Sequence, residues 1–183
     1  MTRIRMLTQA EMTDDQRRVY EATVAGRRGR APAPVIAWLE SPEFADRAQK
    51  LGEFVRYQST LPPRLSELAI LVIARYWTAQ YEWSAHKQEA LRAGLGPVLI
   101  DDIAHRRQPR FENGDERLVY EFSMSLIENH SVHDDLYRAT VDALGERGVV
   151  ELVGLLGYYT LISMTLNTFE IGVPNGAGAE LEP

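Results

Sequence analysis

No cysteine occurs in the 183 residues. That absence removes disulfides, thiolate zinc sites, iron–sulfur clusters and any thiol redox chemistry carried by this chain alone. Cations are in deficit: 20 Lys and Arg stand against 26 Asp and Glu, for a net charge of −6. The overall field therefore opposes nucleic acid, and no nucleic-acid partner is expected. The N-terminus, MTRIRMLTQAEM, has no long apolar stretch; no signal peptide is expected, and a cytoplasmic location is the default. Runs alternating between apolar and polar residues are too short for strands, and no repeat of fixed period is visible. There is no G-x-S-x-G, P-loop, G-x-G-x-x-G or H-E-x-x-H, so serine nucleophiles and phosphate cofactors have no support. One stretch, Leu152 to Phe169, carries no charge across 18 positions and meets the length of a membrane span. It also holds Thr160, Ser163, Thr165, Asn167 and two adjacent tyrosines, directly after Glu151. A buried core helix is expected there, with no membrane partner.

Helical signals fill what remains, and the chain is long enough for one domain with a sizeable core. The expected fold is all-α, a single domain of seven or eight helices with its core over about 13–170 and a tail over 172–183. Thr13 and Gln16 form a capping box for a helix to Ala25. Glycine and proline make 26–34 a loop, carrying Arg27, Arg28 and Arg30. A short helix follows over Val35 to Leu39, then a longer one over Pro42 to Tyr57 with Ala45, Ala48, Leu51, Gly52 and Val55 toward the core. Leu65 to Tyr76 is apolar all round between Leu68 and Ala74, the mark of a buried helix. Ala79 to Ala93 has mixed polarity and stops at Gly94. Further helices are expected over Pro97 to Ala104, from Asn113 through Ile127, from Ser131 to near Gly145, and from Arg147 to Phe169. The tail from Gly172 reads as extended or mobile.

The chemistry-bearing residues gather on the central helix pair. Glu82 and His86 are four apart, so they share a helical face. A carboxylate beside an imidazole can move a proton near neutral pH, with Glu82 fixing the tautomer of His86 and raising its basicity. An exposed i,i+4 pair of small energetic weight is the plainer alternative. Glu67 is the only acid between Ser59 and Glu82. It either sits on the positive helix end, in the first turn, or completes a three-member site. Glu82 and His86 offer a metal only two ligands on one face, and His130, His133 and Asp134 read better as a helix cap; no metal is expected. Tyr158, Tyr159 and Asn167 on the last helix are candidate pocket residues.

The stretches LPPRLSELAILVIAR, YEWSAH and GERGVVELVGLLGYYTLISMTLNTFE resemble the carboxymuconolactone decarboxylase family, within the alkylhydroperoxidase D-like superfamily. The resemblance is to its longer branch and includes AWLESPEFADRAQKLGEFVRY. It implies an all-helical fold that assembles into a dimer, trimer or hexamer. In hydroperoxidase members the site is a C-x-x-C four positions ahead of a histidine, with a glutamate one helix upstream. Here those cysteine positions are Ala79 and Glu82, and Glu67 falls on the upstream glutamate. Peroxidase chemistry is thereby excluded. Decarboxylase members need no thiol pair and no organic cofactor; they decarboxylate a lactone acid and reprotonate the dienolate. The resemblance points to a lyase for a small carboxylate or lactone, with His86 as proton donor, Glu82 orienting it and Glu67 as second acid or positioner. Arg27, Arg28, Arg30, Arg75, Tyr81, Trp83 and Tyr158 are the expected substrate contacts. Another proton-transfer enzyme on the same site, or a non-catalytic homo-oligomer, is the alternative.

Overall fold

A computed structural model describes residues 2–173 and 178–183. Eight α-helices and one 3-10 turn make up the described residues, which contain no strand: α1 (Asp14–Ala25), α2 (Ala33–Trp38), α3 (Pro42–Tyr57), α4 (Pro63–Tyr76), α5 (Gln80–Arg92), α6 (Pro97–Ala104), α7 (Gly114–Asn129) and α8 (Asp134–Thr168). The all-helical expectation holds. Prolines open α2, α3, α4 and α6 in their first turns, where a missing N–H costs nothing. Capping boxes at Thr13 and Asn113 open α1 and α7. The long run of α8 breaks at Gly145, whose φ of +72° and ψ of 163° only glycine adopts without strain. The two helices expected around that residue are its two arms.

Every residue of α4 from Leu65 to Arg75 is buried. The helix packs against α5, α6, α7 and α8, so it is the axis of the core. Two polar clamps fix its start. Arg64 pairs with Asp115 (2.8 Å) and Glu116 at the head of α7. Glu151 of α8 accepts from Ser59 Oγ (3.0 Å), the Thr60 amide and the Thr60 hydroxyl (2.7 Å), and pairs with Arg147. Burial pushes the Glu151 carboxyl up, but the Thr60 hydroxyl and amide, Arg147 and Ser59 outweigh it and hold the group at about 2. The apolar arm of α8 is long enough to cross a membrane by length and composition, yet 61% of that window is buried within the protein.

Two expectations are corrected. Leu51 faces outward at 46% exposure, while Ala45, Ala48, Gly52 and Val55 are buried as expected. The tail is docked over 180–182. Leu181 is buried, Gln80 donates to its carbonyl (2.6 Å) and accepts from its amide (3.0 Å), and Lys87 pairs with Glu180. Residues 174–177 of that tail lie outside the described residues.

Candidate active site

Glu67 stands in the second turn of α4, because that helix begins at Pro63 rather than Leu65. It is therefore not a first-turn carboxylate on the helix dipole, the plainer reading of its position. Glu82 stands in the first turn of α5, and His86 one turn further along. The two helices join through a tight turn in which Thr78 takes the left-handed conformation, with the Ala79 amide donating to Ala74 O and the Thr78 amide to Arg75 O. This Schellman-type closure sets α5 beside α4. It brings Glu67, 19 residues away in sequence, onto the imidazole of His86.

His86 is 3% exposed and lies between the two carboxylates. Its Nδ1 is 2.6 Å from Glu67 Oε2, and its Nε2 is 2.9 Å from Glu82 Oε1. Burial alone pushes the imidazole toward the neutral form. The charge of Glu82 and the hydrogen bonds to Glu67 and Glu82 prevail and raise its pKa to about 9. At neutral pH the ring is an imidazolium with an acceptor at each nitrogen, rather than a neutral ring fixed in one tautomer. Tyr159 packs edge-on against it, ring centres 5.1 Å apart. Burial, then Glu82, push the Tyr159 phenol well above its ordinary range.

A cavity of about 40 Å³ adjoins this cluster, with room for little more than water. Glu82 and His86 are on its wall, with Tyr81, Tyr159 and the guanidinium-bearing Arg28, Arg30 and Arg56; Glu67 is behind it. Arg28, Arg30 and Tyr81 thus line the cavity beside the cluster. Tyr158 supports it from the next layer, its hydroxyl seated against the backbone of Gly52. A Cβ at Gly52 would lie 2.1 Å from that oxygen and 2.6 Å from Arg28 Nη2.

Three expected contacts lie elsewhere. Arg27 donates to the carbonyl of Tyr57 (2.9 Å) on the outside of α3, held there by the bend at Gly26. Arg75 lies about two turns further along α4 than Glu67, away from the cluster: it donates to Thr78 Oγ1 (3.1 Å) and Glu182 O (2.8 Å). Trp83 is a core side chain at 1% exposure, on the face of α5 turned toward α6. Asn167 donates to Trp77 O (2.7 Å) and braces the α4–α5 turn. His133 caps α8, its Nδ1 accepting from the Leu136 amide (3.4 Å). Among the described residues no group of three His, Asp or Glu is arranged to hold a metal ion.

Arg56 was not legible as a site residue. Burial depresses its guanidinium, but Tyr159, Tyr57, Glu67 and Glu82 outweigh this and raise it. The one local signal is a charge directly after Val55, at the edge of the buried face of α3.

Residues 42–112 match the carboxymuconolactone decarboxylase family, in a chain without the C-x-x-C motif. No curated protein matches the chain in sequence. Among solved structures, a peroxidase-related protein with the alkylhydroperoxidase AhpD core, from Ralstonia eutropha JMP134, superposes with a TM-score of 0.76 at 13% identity, over 95% of this chain and 93% of that one. The debrominase Bmp8, solved with 2,3,4-tribromopyrrole, gives 0.71 at 12% identity, over 94% and 91%. A protein of unknown function from Agrobacterium tumefaciens gives 0.66 at 16% identity, over 75% and 94%. At such identities the likeness is one of fold.

Proposed function

We propose that this chain, similar over 42–112 to carboxymuconolactone decarboxylases, is a cofactor-independent lyase that decarboxylates a small lactone acid or related carboxylate. The observation that carries the reading is the buried Glu67–His86–Glu82 cluster, in which a proton is held on an imidazole with a pKa of about 9 beside three guanidinium groups. The carbon–carbon bond to the substrate carboxylate breaks, carbon dioxide leaves, and the electron pair spreads into a dienolate. Arg28, Arg30 and Arg56 stabilise that negative charge. A guanidinium on the departing carboxylate would favour the ground state; one on the enolate oxygen favours the transition state. The proton shared between His86 Nε2 and Glu82 then passes to carbon, and solvent restores it. Glu67 holds Nδ1 from behind and keeps the ring aligned. The 40 Å³ space is too small for such a substrate, so admitting one requires the segment between α1 and α2, which carries Arg28 and Arg30, to move.

Incubation with a panel of carboxylated lactones, with trapping of the released carbon dioxide, tests the reading. Release by wild type and a loss of roughly a hundredfold or more in Glu82→Gln and His86→Gln is the expected result. Turnover without carbon dioxide would assign the site to an isomerase, dehydratase or lactone hydrolase instead. Turnover at wild-type rates in both variants would remove the cluster from the chemistry.

A further inference from the structure

A second, larger cavity lies between α4, α6 and α7, apart from the acid–base cluster. It encloses about 410 Å³, within the usual range of small-molecule sites. Arg75 is on its wall and is only 6% exposed. A buried cation is costly unless a carboxylate or a full set of acceptors meets it. Arg75 has no carboxylate partner among the described residues, and its buried Nε has no acceptor at all. The nearest like charge is Arg106, on the same wall. Burial, then Arg106, hold the Arg75 guanidinium below its ordinary range, against the opposing charge of Glu182, which forms no ion pair with it.

Arg106 closes α6 in the left-handed conformation, φ +52°. Its amide donates to Ile103 O, and the next amide, of Arg107, to Asp102 O. A non-glycine residue there carries a backbone cost, so the side chain is presented at this wall against local preference. The adjacent Arg107 and Arg110 are neutralised by Asp101 and Asp102, whereas Arg106 forms no ion pair among the described residues. The rest of the wall is largely apolar and aromatic, with Ile103, Tyr120 and Met124. Glu128 is the one acid on it.

We propose that this cavity binds a small organic carboxylate, its anionic end on Arg75 and Arg106 and its flat apolar body on Ile103, Tyr120 and Met124. Planar guanidinium groups suit a carboxylate because each offers paired N–H donors. The volume takes a single ring with room for substituents. The site is independent of the proton-transfer cluster and of whatever reaction that cluster performs.

Isothermal titration calorimetry of the full chain tests it, with benzoate as probe. Benzamide serves as the uncharged counterpart and inorganic phosphate as charge without an apolar body. Benzoate is expected to bind with a dissociation constant of about 1 mM or tighter. Benzamide and phosphate should each bind at least about tenfold more weakly, a difference of about 1.4 kcal/mol. Arg106→Gly should weaken benzoate by a similar factor; glycine suits the backbone at that position, so the variant keeps its fold. Arg75→Lys retains the charge, loses the paired donors and should also weaken binding. Arg56→Ala, in the other cavity, should leave it unchanged. Full affinity in Arg106→Gly overturns the proposal, as does equal binding of benzamide or phosphate, or no benzoate binding. Loss of binding in Arg56→Ala would place the probe at the acid–base cluster and equally overturn it.

Discussion

At the scale of single residues, the ionisation of His86 governs what the site can do. Its pKa is raised to about 9 against an ordinary value of 6.5, so the folded protein binds this proton more tightly than the unfolded chain. The resulting stability is fully present below about pH 6.5 and is lost as pH rises through about 9. Urea unfolding of wild type should therefore weaken over that interval more steeply than unfolding of His86→Gln; equal slopes would show that the imidazole is neutral in the folded state. Glu82→Gln removes the charge and should move the His86 titration, followed by imidazole NMR, down toward 6.5. A second expectation follows from the missing thiols: no hydroperoxide reduction above the enzyme-free blank with dithiol or thioredoxin-like donors, measured by peroxide consumption. The Glu82–His86 contact was legible because i and i+4 share a helical face. The Glu67–His86 contact was not a matter of spacing, since it depends on how the turn at Thr78 folds α5 back on α4. Both Glu82 and His86 are buried, so their replacement removes partners from a buried charge cluster and affects stability as well as rate.

At the scale of elements, α3 and α8 pack on each other behind the site, with Gly52 facing the Tyr158 hydroxyl. A methyl group there would lie 2.1 Å from the Tyr158 hydroxyl and displace Arg28 as well. Gly52→Ala should cost about 1–3 kcal/mol, the usual range for overpacking, read as a lower midpoint in thermal or urea unfolding. An unchanged midpoint would mean that Tyr158 moves aside freely. Glu151, about two turns before Tyr158 on α8, makes the complementary prediction. Its carboxyl is held at about 2, below its ordinary 4.5, so its stabilisation is present above about pH 4.5 and is lost as pH falls toward 2. Glu151→Gln should flatten the acid limb of wild-type unfolding; an identical acid limb would show that the Ser59–Thr60 clamp does not depend on charge. Element boundaries were well marked in the sequence because their causes are local. Prolines start α3 and α6, a capping box starts α1, and Gly145 breaks α8. Leu51 was misplaced because 51 and 52 both continue a helical repeat from Ala48, by three and four residues, and only packing on α8 selects Gly52. The docking of the tail was invisible for a similar reason: Leu181 is held by Gln80, about a hundred residues earlier in the chain.

At the scale of the whole molecule, one core is built around α4, and the outer faces of α3 and α8 remain to be accounted for. Leu51 and Phe54 on α3 and Val150, Val153 and Met164 on α8 are all at least a third exposed, with Val150 at 71%. These two helices pack on each other. From Leu152 to Phe169 the chain carries no charge that would keep such a surface in water. Scattered apolar side chains are normal on a monomer, but several on adjoining helices of low charge favour burial against another copy. A closed homo-oligomer is therefore expected, with each copy offering the same faces. Light scattering coupled to size exclusion at micromolar concentration should give a mass of at least twice the 20.7 kDa of one chain. Val150→Lys together with Val153→Lys should shift the mass toward that of a single chain while helix content stays unchanged, since neither side chain fills the core. A wild-type mass of one chain would leave these faces as ordinary surface. An oligomer that survives both lysines would place its interface on other helices.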